Sequence, residues 1–191
     1  MRAEPAQPTG SSKLCLSCHD GTIALGNVGS RSAPIAMAGG LRSMPPGRAN
    51  LSTDLADDHP VSFSYAASFA GSGELASPEA IVPPAGLDAD GQVQCTSCHE
   101  PHDNSRGHFL VIEPEYGGLC RACHRLRGWA SSAHAVAGVR LPDDVASALD
   151  AEPASVSSRA CASCHRTHHA EGRPWILQKR NIAATCTTCH D

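Results

Sequence analysis

All ten cysteines in this 191-residue chain fall into five Cys-x-x-Cys pairs, and histidine follows each pair directly. The runs are Cys15, Cys18 and His19; Cys95, Cys98 and His99; Cys120, Cys123 and His124; Cys161, Cys164 and His165; and Cys186, Cys189 and His190. At that spacing two thiols and one imidazole reach a single macrocycle from one turn of backbone. The thiols add across the two porphyrin vinyl groups, and the histidine is held under the ring as the proximal ligand of the iron. This is the attachment signature of c-type haem. Zinc sites use such pairs two at a time, which would leave one of five unmatched. Thiol–disulfide chemistry gives no reason for a following histidine. With 11 histidines in 191 residues, chance would place one after all five pairs about once in a million such chains. The expected cofactor is five covalently attached haem c.

That cofactor explains the composition. Aromatics are 4% of residues, and Phe, Tyr and Trp number only seven, too few for an ordinary core of this size. Porphyrins would supply the missing apolar bulk, with the polypeptide wrapped around them and no stable fold without them. The expected fold is mostly irregular coil with short α-helices and minimal β, wrapped around a haem stack.

Net charge is −4, and haem propionates would make it more negative. The densest basic patch is Arg121, Arg125 and Arg127, beside a haem motif, where pairing with propionates is the simpler reading. A nucleic-acid partner is not expected. Thioether formation in bacteria and archaea takes place outside the cytoplasmic membrane, so the expected location is periplasmic or extracellular. Residues 1–13 hold no apolar leader core, and no apolar run approaches the length of a membrane span.

The chain repeats itself at an offset of 66 residues. Cys95, Cys98, His99 and His102 precede Cys120 as Cys161, Cys164, His165 and His168 precede Cys186. Between them Phe109-Leu110-Val111 aligns with Trp175-Ile176-Leu177 as an apolar plug. Two two-haem modules result, 95–124 and 161–191. They follow an N-terminal segment, 1–94, with the first haem and a long loop-rich connector, and are separated by a connector, 125–160; the whole is expected to form one haem-cored unit. Short strands are expected at 61–65 and 92–94, and helices at 119–127, 142–149 and 159–166.

With five histidines proximal, six remain for the opposite faces of the irons: His59, His102, His108, His134, His168 and His169. That surplus points to bis-histidine ligation and low potentials. His102 and His168 share one place in the repeat. His59 follows Asp57 and Asp58, which could orient its ring through the other nitrogen. His134 is the sole free histidine of its connector. His108 aligns with Pro174 and His169 with Asp103, so neither is repeated. No residue after His190 can bend back onto its iron. The fifth sixth-ligand position falls to His108 or His169, to Met37 or Met44, to an open site or to a neighbouring subunit.

The motifs resemble the multihaem c-type cytochromes with doubled CxxCH modules found in metal-reducing bacteria. The resemblance lies in Leu14-Cys15-Leu16-Ser17-Cys18-His19-Asp20-Gly21-Thr22, Asn50-Leu51-Ser52-Thr53-Asp54 through Asp58-His59-Pro60-Val61, Gln94-Cys95-Thr96-Ser97-Cys98-His99-Glu100-Pro101-His102, Phe109-Leu110-Val111 and Gly128-Trp129-Ala130-Ser131-Ser132-Ala133-His134. It implies an electron carrier or conduit with stacked, mostly bis-histidine haems, in which His59, His102 and His134 are distal ligands. The second module departs from the pattern, reading Arg166-Thr167-His168-His169. The resemblance implies redox partners such as other cytochromes, extracellular acceptors or minerals. Some relatives form extracellular filaments in which one subunit donates a histidine to its neighbour's haem. Three functions compete: electron transfer, reduction of a small oxyanion at an open iron (the His190 haem being the candidate), and filament assembly.

Overall fold

The computed structural model describes residues 7–23, 25–27, 29–149 and 154–190. Its regular elements are short. Helices α1 (Gly10–His19), α2 (Tyr65–Ala70), α3 (Gly118–Arg121), α4 (Ala133–Val136), α5 (Asp143–Ala148), α6 (Val156–Arg159) and α7 (Ile182–Cys186) are joined by turns and loops. The single described sheet pairs β1 (Phe63–Ser64) with β2 (Gln92–Val93), antiparallel, Phe63 opposite Val93. This is the mostly irregular, short-helix fold that the composition called for.

Local chemistry sets the helix ends. Ser64, Ser132, Ser155 and Asn181 each accept a backbone N–H of the first turn, capping α2, α4, α6 and α7. Helix α5 starts behind Pro142 with Asp143 and Asp144 in its first turn, as expected for 142–149. The helix expected over 119–127 is only Gly118–Arg121. The one expected over 159–166 is broken at Ala160 (φ 47°, ψ −114°), after which Ala160–Ser163 wind as a tighter turn.

Two straps of the 20–94 connector reach the modules. His59 N–H donates to the Thr167 carbonyl at 2.8 Å and Ala170 N–H to that of Asp57 at 2.9 Å, fastening 57–59 to the second module. Arg173 adds ion pairs to Asp54 and Asp57. Ala76 N–H donates to the Cys123 carbonyl at 2.7 Å and Arg125 N–H to that of Glu74 at 2.7 Å, fastening 74–76 to the first. The Tyr65 hydroxyl, donating to the Ala76 carbonyl, closes this strap, and burial pushes it up to about 12.

A buried polar knot joins α1 to the first module. Ser12 is fully buried and Gln94 is 1% exposed. The Gln94 side-chain oxygen accepts from the Ser12 and Ser62 hydroxyls, its amide donates to Asp88, and Ser12 accepts from Cys95 N–H. Gln94→Leu strands these partners in the interior, so the holoprotein should lose about 3 kcal/mol. A urea midpoint unchanged from wild type would contradict that role.

Candidate haem-binding site

Each Cys-x-x-Cys-His run is one helical turn. The histidine N–H donates to the first cysteine's carbonyl in the four runs from Cys95 onward, at 2.9 to 3.0 Å, and the first run closes α1. The winding puts both thiols and the imidazole beside one patch of space, as joint attachment requires.

In three runs a backbone carbonyl fixes the imidazole. His19 Nδ1 meets the Ala49 carbonyl at 2.7 Å, His99 Nδ1 that of His108 at 2.9 Å, and His165 Nδ1 that of Trp175 at 3.0 Å. With the Nδ1 proton directed to carbonyl oxygen, Nε2 is the nitrogen left for a metal. Burial holds His59, His99 and His124 below the usual imidazole range, favouring the neutral form that ligates metals.

The two carbonyls in the modules, His108 and Trp175, lie 67 residues apart, not 66. The same shift recurs where Glu100 N–H meets the Phe109 carbonyl and Arg166 N–H that of Ile176. The plug expected as 109–111 against 175–177 is therefore displaced by one residue. His108 stands opposite Trp175 and not Pro174. The second module has an extra residue before the plug and one fewer after it.

Three histidine pairs come together across the fold. The His99 and His168 ring centroids are 6.3 Å apart, those of His59 and His124 6.4 Å, and those of His134 and His190 5.9 Å. An imidazole nitrogen ligates a metal at about 2 Å, so two rings sharing one iron have centroids roughly 6 Å apart. Each pair joins a motif histidine to one of the six others. The strap at 57–59 delivers His59 to His124. His134, on α4, meets His190.

The remaining three stand apart. His102 is 90% exposed, its Nδ1 held at 2.8 Å by Glu100. His169 directs Nε2 to the Arg48 carbonyl at 3.2 Å, so the nitrogen that would ligate is engaged. Among the described residues His102, His108 and His169 face no motif histidine, and neither His19 nor His165 is faced by another ring. The carboxylate expected to orient His59 does otherwise. His59 Nδ1 meets the carbonyl of Pro60 at 3.0 Å, and Asp58 holds His168 instead, at 2.9 Å.

The motifs adjoin one another in chain order. Ser11 and Thr96 hydroxyls hydrogen-bond between the first and second. Burial, then the charge and hydrogen bond of Cys95, raises the Cys15 thiol. Cys98 is pushed up to about 11 by burial, with Cys123 of the third motif adding to it. The Cys120 and Cys161 thiols hydrogen-bond between the third and fourth, raising the former and lowering the latter to about 7. Gly117 allows that approach: it sits at φ +69°, and a Cβ there would lie 2.9 Å from Cys161 Sγ. Burial raises Cys164, and Cys186 and Cys189 of the fifth motif add to the shift.

The surroundings fit porphyrin and do not fit zinc. Among the described residues no three His, Cys, Asp or Glu side chains gather to hold a metal on protein atoms alone. All ten cysteines are free thiols and none is fully buried, against the habit of a residue type that is usually interior. The polypeptide exposes 11928 Å², where a compact protein of its mass would expose about 8,600 Å². Arg159, two residues before Cys161, buries an Nε that has no hydrogen-bond partner among the described residues, which suits a propionate.

The family model for the doubled CXXCH motif matches residues 89–127 and 154–191. No curated protein and no solved structure matches the chain.

Proposed function

We propose that this chain, a multihaem c-type cytochrome built on two doubled CXXCH modules, carries electrons along five haems, one at each Cys-x-x-Cys-His run. When bound, haem supplies a one-electron iron couple fixed covalently to the chain. The ten cysteines hold it, and His19, His99, His124, His165 and His190 are the proximal ligands. His168 caps the iron of His99, His59 that of His124, and His134 that of His190. The observation that carries this reading is the spacing of those three ring pairs. Two imidazoles on an iron exclude substrate and keep its coordination unchanged between oxidation states, which serves transfer and not turnover. Motif adjacency favours a path in chain order, with the first and fifth haems as its ports. Attachment chemistry favours a periplasmic or extracellular location. Haem assay of the purified protein tests the count: five per chain is expected, and three or fewer would overturn the reading.

Self-association into a filament has support of its own from the repeat. His168 belongs to the second module and meets His99, the leading histidine of the first. Carried one module onward, the same relation directs the exposed His102 of one copy to the His165 of another. Such a contact is heterologous and does not close, so it propagates as a fibre. His102→Ala should abolish fibres seen by electron microscopy and leave one more high-spin iron per chain. Undiminished fibres in that variant would rule out His102 as the donated ligand. Nitrite reduction by dispersed protein would favour an open-iron reductase instead.

A further inference from the structure

We propose that Asp58 is a positioning residue that holds the potential of the haem at Cys95 and Cys98 below those of the other four. This rests on the reading that His168 and His99 share one iron. Asp58 is 5% exposed. Its Oδ1 accepts from His168 Nδ1 at 2.9 Å and from the His169 N–H at 3.3 Å, while the buried Oδ2 has no hydrogen-bond partner among the described residues. The His168 ring therefore directs its Nδ1 proton at a desolvated carboxylate.

A carboxylate behind a ligating imidazole makes the ring more basic and fixes its orientation. A more basic axial ligand and a buried negative charge both favour ferric iron, which carries one positive charge more than ferrous. His19, His59, His99 and His165 meet backbone carbonyls, which are neutral, and Glu74, whose charge reaches His124, is exposed and screened by solvent. His102 meets Glu100, but that side chain is half exposed and solvent screens it. Arg173 pairs with Asp54 and Asp57, and among the described residues the one ion pair of Asp58 is with His168. The strap that carries Asp58 also carries His59, so the carboxylate stands between ligands of the second and third haems. Electrons moving in chain order would cross the second haem without residing there.

Redox titration of the holoprotein carrying Asp58→Asn tests this, because the amide keeps an acceptor oxygen and removes the charge. One potential of the five should rise, with a matching change in that centre's axial-ligand spectrum, and Asp58→Glu should restore both. Five unmoved potentials at full haem content would overturn the inference. Should Asp58→Asn not assemble, the wild-type spectrum decides. One low-spin centre with a stronger axial field than the rest supports the proposal, and uniform fields overturn it. His168→Ala separates the two levels of the argument. If it opens no iron, the ligand pairing itself fails. If it opens one while Asp58→Asn moves no potential, only the role of Asp58 falls.

Discussion

With all ten cysteines replaced by alanine, the chain should fail to fold, giving a disordered far-ultraviolet spectrum and no cooperative thermal transition. The apolar interior consists of a few scattered side chains, among them Leu16, Tyr65, Val93, Val111, Leu141, Leu149 and Leu177, with several alanines. The largest side chains that are wholly enclosed are Gln94 and Ser12, both polar. Helices of four to ten residues cannot hold themselves in water, and a two-residue ladder adds little. Ordering 191 residues against chain entropy needs far more apolar burial than the polypeptide provides. The knot around Gln94 cannot substitute, because a buried hydrogen bond contributes little net stability and costs most when broken. A cooperative transition in the cysteine-free chain would show that the polypeptide carries its own core, and the fit to porphyrin would lose its main physical support.

The same arithmetic explains why the fold class was legible in the sequence while the histidine pairs were not. Cysteine spacing fixes chemistry within one turn of backbone, so the five runs could be read directly. Which free histidine meets which motif depends on contacts over long separations. His168 reaches His99 and His59 reaches His124 because 57–59 is strapped to 167–170 and 74–76 to 123–125, and no short-range pattern encodes such straps. His102 and His168 look equivalent in sequence, yet one is exposed and the other is gripped by Asp58. The module that provides a partner for one offers none to the other. Adjacency points Asp58 to His59, whereas the ring it holds, that of His168, lies 110 residues away. Gln94 carried no signal beyond its place before Cys95, and in the second repeat Ala160 stands there.

His134→Ala should convert one iron per chain from low-spin to high-spin and add one equivalent of carbon monoxide binding. His59→Ala and His168→Ala should each do the same at a different haem. The three effects should add, since each ring faces a different motif histidine. His134 suits the test best, because α4 buries no residue and, among the described residues, His134 makes no side-chain hydrogen bond that a substitution would strand. The iron it leaves open belongs to the run of Cys186, Cys189 and His190. His169→Ala should add nothing, as its Nε2 is turned to the Arg48 carbonyl. Potentials should follow the spectra. Loss of one strong-field imidazole raises the couple at that haem, so the step belonging to the opened centre should move to more positive potential. If His134→Ala leaves carbon monoxide binding unchanged while His169→Ala or Met44→Ala raises it, the 5.9 Å approach of His134 to His190 is packing and not ligation. The fifth haem would then take its sixth ligand from elsewhere, and one port of the proposed path would have to be reassigned.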